Sequence, residues 1–203
     1  LGLSLSILDA IKKAKYESPY PIQIEAIPAI LKGKDILGIA PTGSGKTASY
    51  VLPILTQLSK EKEAKNRHIQ SLILVPTREL AIQVEEVFKM FARSFPAPLK
   101  IRAVYGGVSI NPQMKAMMGV SVLIATPGRL IELAESNAVH LSSVKSVVLD
   151  EADKVLNMGF REEVEHILDL LPSRRQNILF SATMTEEVDE MVDDFFELPE
   201  EIS

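Results

Sequence analysis

The run DILGIAPTGSGKT, Asp35 to Thr47, decides the fold. DILGI is apolar without alternation, the pattern of a short strand covered on both faces. A glycine-rich turn follows, and a helix is expected to start near Gly45. Strand, tight loop and helix in that order form the first half of a βα unit. The chain repeats the theme. SLILV, IRAVY, VLIAT, SVVLD and NILFS are further short apolar runs. Helix-spaced apolar residues lie between or before them, in SILDAIKKAK with Ser4 as cap, PIQIEAIPAIL with Pro21 in its first turn, ELAIQVEEVFKMF and REEVEHILDLL. Strands alternating with helices predict an α/β domain with a predominantly parallel sheet and helices on both faces. SKEKEAKNRH reads as an exposed loop or helix end, SFPAP as a proline-marked connection, and FFELPEEIS as the exit from the domain.

The totals agree with one such domain. The 203 residues are 46% hydrophobic and 24% charged, enough for a single large core. There is no cysteine, which excludes disulfides and thiolate zinc sites and fits a reducing cytoplasm, the expected location. No apolar stretch is long enough to span a bilayer, and LGLSLSILDAIKK is amphipathic without the charged start of a signal peptide. The first residue is Leu1, so the chain is expected to begin inside a longer gene product. Net charge is −5 and the isoelectric point about 5.3. That balance argues against a dedicated polyanion binder, although a local line of donors can still hold a phosphate backbone.

In open α/β sheets ligands gather at the carboxyl ends of the strands, and the distinctive residues fall there. Within Thr42, Gly43, Ser44, Gly45, Lys46 and Thr47, the two glycines allow close approach that a Cβ would hinder. The helix that follows turns free N–H groups and a positive dipole end toward an anion. Lys46 can reach outer phosphates, and the Thr47 hydroxyl can ligate Mg²⁺. The general pattern is G-x-x-x-x-G-K-[ST], and Ala40 stands where its first glycine falls.

SVVLDEADKVL, Ser146 to Leu156, ends an apolar run with three carboxylates in four positions. Like charges that close repel. A solvated acidic loop would tolerate them, but a phosphate loop in the same chain gives them a purpose. Asp150 can hold Mg²⁺ directly or through water, and Glu151 can orient and deprotonate an attacking water. Asp153 need not touch the metal.

PTGSGKT, PTREL, GG, TPGR, DEAD and SAT occur here in the order found in the DEAD-box family of ATP-dependent RNA helicases, and the resemblance covers nearly the whole chain. It implies the first of two RecA-like P-loop domains, residues 1–203, whose parent couples ATP hydrolysis to RNA duplex unwinding or RNP remodelling. YESPYPIQ looks like the family's adenine-recognition motif. Gln23 would then read the base edge and Tyr16 offer its ring, with a surface glutamine and a packed tyrosine as the plainer alternatives. Lys15 stands where the family usually has glycine before the aromatic, and the family's upstream aromatic would precede Leu1.

The resemblance further implies an RNA track of Pro76, Thr77, Arg78, Gly106, Gly107, Thr126 and Arg129. Such contacts hold the backbone of single-stranded or duplex RNA without reading its sequence. The two arginines would serve equally well in salt bridges at helix starts. Ser181 and Thr183 resemble the motif that links the ATP site to RNA, with Asp153 as neighbour. Either could instead be the N-cap of the next helix. In the RecA-like class the strand ending at Ser181 lies between those ending at the phosphate loop and at Asp150.

The family's second domain, with its arginines for the transferred phosphate, has no counterpart in these residues. The chain is therefore expected to bind ATP and RNA weakly and to need that domain for turnover. A P-loop ATPase that remodels something other than RNA, such as DNA, and a non-catalytic docking module are the other function classes. Lys46, Asp150 and Glu151 together count against the second.

Overall fold

The computed structural model describes residues 1–196 and 199–203. Seven strands form one sheet: β1 (Ile36–Ile39), β2 (Ser71–Leu74), β3 (Lys100–Val104), β4 (Val120–Ala125), β5 (Ser146–Leu149), β6 (Gln176–Ser181) and β7 (Glu200–Ile202). Their order is β3-β4-β2-β5-β6-β1-β7, and every pairing is parallel. The helices are α1 (Leu5–Lys13), α2 (Pro21–Leu31), α3 (Lys46–Leu58), α4 (Arg78–Ala92), α5 (Ile110–Lys115), α6 (Pro127–Glu135), α7 (Ala152–Asn157), α8 (Arg161–Leu170) and α9 (Glu186–Phe195).

Side chains alternate across each strand, so a run apolar at every position feeds two cores. In β6, Ile178 and Phe180 join the core under α1 to α4, while Leu179 joins the opposite core with α6 to α9. This explains why the strands read as continuous apolar runs. The neighbours of Gly38 show how tightly the faces fill. Phe180 is paired across from it and leans over it, so a Cβ on Gly38 would come within 2.3 Å of the Phe180 ring. Burying a ring of that size contributes on the order of 2–3 kcal/mol.

The expected strands and caps are present. Ser4 accepts from Ile7 N, Pro21 opens α2, and α3 begins directly after Gly45. SKEKEAKNRH and SFPAP are connections. The tail differs from its reading. Residues 200–202 do not leave the domain but form β7, laid parallel against β1 with Glu200 opposite Ile36. Three residues are too few to carry a pattern. Residues 197 and 198 of that tail lie outside the described residues.

Candidate functional site

The order of the strands divides their carboxyl edge in two. β5, β6 and β1 are neighbours, and they deliver Asp150, Ser181 and the phosphate loop. β3, β4 and β2 are neighbours too, and they deliver Gly106 and Gly107, Thr126, and Pro76 to Arg78.

On the first half, Gly43 and Gly45 have φ of 80° and 86°, left-handed values that only glycine adopts freely. Gly45 is constrained twice, since a Cβ there would lie 2.6 Å from Gln23 Nε2. The Ser44 hydroxyl donates to Pro41 O at 2.7 Å and so braces the loop from within instead of lining the cleft. Lys46 is buried, and its ammonium donates to Ala40 O at 2.6 Å. Ala40 has no left-handed φ, so its departure from the glycine pattern carries no backbone strain.

Thr42, Gly43, Gly45, Lys46 and Thr47 line a cleft of about 440 Å³ with Tyr16, Tyr20, Gln23, Asp150 and Glu151, bordered by Leu80, Gln83 and Val87 of α4. Gln23 is buried, which removes the surface-residue alternative. Its Oε1 accepts from Tyr20 N at 3.0 Å and its Nε2 donates to Gly45 O at 3.1 Å. One N–H and one lone pair of the amide remain, the pair needed to read an adenine edge.

Tyr16 is delivered by the end of α1. Lys15 N donates to Lys12 O, and Tyr16 N to Ile11 O, the paired bonds of a Schellman motif. Such a motif needs a left-handed residue, and Lys15 fills it at φ 58°. Glycine would meet this requirement without strain. The Tyr16 ring sits edge-on to Phe91 at 5.7 Å and is 41% exposed, so it is both packed and presented to the cleft.

Asp150 is held by both oxygens. Tyr50 Oη donates to Oδ2 at 2.7 Å, and Glu151 N donates to Oδ1 at 2.8 Å. Burial pushes the Asp150 carboxyl above its ordinary range, while the Tyr50 bond and the Lys46 charge pull the other way. Glu151 has φ 51° and ψ 49°, a left-handed backbone of the kind concentrated at functional sites. Its Oε2 lies 2.8 Å from Lys154 Nζ, and that bond raises the Lys154 pKa.

Among the described residues no cluster of three or more His, Cys, Asp or Glu could hold a metal by itself. Thr47 and Asp150 nonetheless bring hard oxygen donors to one cleft. Two protein donors, with the remaining positions left to phosphate and water, suit Mg²⁺.

Ser181 and Thr183 are not N-caps, because Thr185 caps α9. They join the DEAD segment instead. Asp153 N donates to Ser181 Oγ at 3.2 Å, Ser181 Oγ donates to Thr183 O at 2.8 Å, and Thr183 Oγ1 donates to Asp153 Oδ2 at 2.9 Å. β6 lies between β1 and β5, as the class predicts.

On the second half, Pro76 is buried, Thr77 caps α4, and Thr126 sits at the N-cap of α6 without a side-chain bond. Arg78 is exposed, with its guanidinium 5.0 Å over the Tyr105 ring. Arg129 is more committed. It donates to Glu132 Oε2 at 2.8 Å, Gln113 Oε1 at 2.9 Å and Val108 O at 3.0 Å. The salt-bridge alternative thus describes Arg129, which fastens the segment after Gly107 to α6. Arg78 has no carboxylate partner among the described residues. Gly107 needs its left-handed φ of 78°. Gly106 has no such φ, and a Cβ on it would meet nothing within 4 Å, so the fold does not require glycine there. The same holds for Gly128 in the first turn of α6.

Sequence reasoning did not find Tyr20, Tyr50, Gly128, Lys154, or the α4 residues Leu80, Gln83 and Val87. The last three recur at helical spacing, a signal that core packing also produces.

The DEAD/DEAH box helicase family model matches residues 20–191. The chain is 43% identical over its whole length to the DEAD-box ATP-dependent RNA helicase CshA of Streptococcus pneumoniae, covering 38% of that protein. It is 43% identical to the ATP-dependent RNA helicase DeaD of Escherichia coli, covering 32% of it. The chain thus spans well under half the length of these curated relatives. The crystal structure of a DEAD box protein from Methanococcus jannaschii superposes with a TM-score of 0.91 at 38% identity, covering all of this chain and 54% of that one. A helicase structure from Sulfolobus tokodaii, described as hypothetical and ATP-dependent, gives 0.87 at 36% identity, covering 97% of this chain and 56% of that one.

Proposed function

The chain belongs to the DEAD/DEAH box helicase family, and from that premise we propose that it is the ATP-binding, first RecA-like domain of an ATP-dependent RNA helicase. The observation that carries this reading is the convergence of Gln23, the phosphate loop with Lys46, and the Asp150–Glu151 pair on one cleft. A docking module has no need of these groups together.

In the proposed reaction Gln23 holds the adenine edge with its remaining N–H and lone pair, beside the Tyr16 ring. Residues Thr42 to Thr47 enclose the phosphates, and Lys46 leaves its bond to Ala40 for the outer phosphate oxygens. Thr47 and Asp150 would hold Mg²⁺, whose charge offsets that of the phosphates when bound. Glu151 receives a proton from the attacking water. Asp153, Ser181 and Thr183 carry the state of this site toward the second half of the edge. There Pro76, Thr77, Arg78, Gly106, Gly107 and Thr126 follow an RNA backbone, and Arg129 holds the glycine loop in place. Contacts with the 2′-OH would favour RNA over DNA. A second RecA-like domain of the parent supplies the charge facing the phosphates from the other side. No helix among the described residues is long and apolar enough to cross a membrane, and a cytoplasmic location is part of the proposal.

Steady-state phosphate release by the full-length parent tests this reading. Stimulation by RNA, with little by DNA of the same sequence, is expected. Equal stimulation by DNA favours a DNA-remodelling ATPase, and no turnover with either favours the docking module.

A further inference from the structure

Tyr50 is a fully buried titratable group that touches the site through Asp150 and that the proposed reaction does not use. It lies on α3, one helical turn beyond Lys46 and Thr47, and its hydroxyl donates to Asp150 Oδ2 at 2.7 Å. Burial first, and the Asp150 charge second, push the phenol well above its ordinary pKa. At that distance the phenol O–H is the donor and the carboxylate oxygen the acceptor. The Tyr50 ring is wedged between Phe88, at 6.4 Å, and Phe180, at 5.8 Å. Phe180 is fixed in turn by the space over Gly38. The phenol has no room to swing.

We propose that Tyr50 is a positioning residue for metal binding: it fixes the plane of the Asp150 carboxylate relative to Thr47. The proposal rests on the reading of Asp150 as an Mg²⁺ ligand. Glu151 N grips one oxygen and Tyr50 the other, so each oxygen keeps a free lone pair in a set direction. Without the phenol only the backbone grip remains, and the carboxylate can rotate about it. Tyr50 and Thr47 share a helix face, so the same helix orients both proposed ligands. A tyrosine that merely fills the core would affect stability but not the response to metal. Removing the hydrogen-bond partner of a metal ligand costs about 10–100-fold in metal affinity.

The test is calorimetry of ADP binding to this chain across an Mg²⁺ titration, for wild type, Tyr50→Phe, Asp150→Asn and the double variant. Phenylalanine keeps the ring contacts. Tyr50→Phe is expected to bind ADP normally in chelator and to need about tenfold more Mg²⁺ for half of the metal-dependent gain in affinity. In the Asp150→Asn background Tyr50→Phe should change nothing further. An unchanged Mg²⁺ requirement in Tyr50→Phe overturns the proposal, as does a further loss in the double variant. If Asp150→Asn keeps the full Mg²⁺ response, the ligand reading itself fails. A readout without any variant uses wild-type chain isotopically labelled at tyrosine Cζ. The Tyr50 resonance should move when Mg²⁺ joins the ADP complex, and indifference to Mg²⁺ also overturns the proposal.

Discussion

The Gln23 side-chain amide reaches the carbonyl of Gly45 at 3.1 Å, tying the start of α2 to the phosphate loop. Under the proposed function, the side chain that reads the base would also brace the phosphate loop. Gln23→Ala should lose the preference for ADP over GDP and also loosen the loop. It leaves Tyr20 N–H without its partner, at a cost of about 1–3 kcal/mol, while Gly45 C=O keeps its bonds from Ser49. Calorimetry with both nucleotides, and thermal unfolding, check the two halves. Equal affinity of the wild type for ADP and GDP would refute the adenine assignment.

Lys15 occupies a left-handed position at φ 58°, which costs an L-residue roughly 1–2 kcal/mol. Glycine gives back part of this through its freer unfolded chain. Lys15→Gly should therefore stabilise the domain by up to about 1 kcal/mol, or about 2–4 °C in Tm. A lower Tm would show that the end of α1 does not carry the strain assigned to it.

Lys46→Ala and Glu151→Gln should separate binding from chemistry in the full-length parent. The first removes the point charge on the outer phosphates and should abolish both binding and turnover. The second keeps the shape of the side chain and removes the proton acceptor. It should retain ATP while losing at least about 100-fold in turnover, the lower range for general acid–base catalysis. Normal turnover by Glu151→Gln would remove Glu151 from the reaction.

Thr183→Val cuts the bond to Asp153 Oδ2 without touching the cleft. ADP affinity should stay within about twofold, because the contact lies outside the nucleotide lining. RNA stimulation of the parent should fall. A variant with wild-type RNA stimulation would leave this bond a merely structural one.

The isolated chain should hydrolyse ATP slowly and respond little to RNA. Charge from the second domain is worth orders of magnitude in this chemistry, and tethering within one chain raises its effective concentration. Phosphate release from the chain and the parent, each with and without RNA, measures the difference. Strong RNA-stimulated release from the chain alone would contradict the need for a second domain.

The parts legible in the sequence were those where one residue type answers one physical demand. Gly43 and Gly45 announced a loop that a Cβ would hinder, and the apolar runs announced a sheet covered twice. Contacts that join distant segments were not legible. Nothing near Tyr50 in the chain points to Asp150, and a tyrosine in an apolar helix reads as core. In the sequence Arg129 reads equally as an RNA contact or as one side of a salt bridge, and its bonds to Glu132, Gln113 and Val108 appear only in the fold. The tail was misread because β7 takes its strand character from β1 and not from its own three residues.

β1 is the first strand made, yet both of its neighbours are the last. Ile36 lies beside Ile178 on one side and Glu200 on the other. A nascent chain that has reached β5 can pair β5, β2, β4 and β3, but it has nothing to dock β1 against. The loop closures that seat β1 are the longest in the domain and are intrinsically slow. Until they occur, an unpaired apolar strand stays open to wrong partners. The cleft lined by Gln23, Lys46 and Asp150 is therefore the last part of the sheet's carboxyl edge to be assembled during synthesis, well after the half built on β2, β3 and β4.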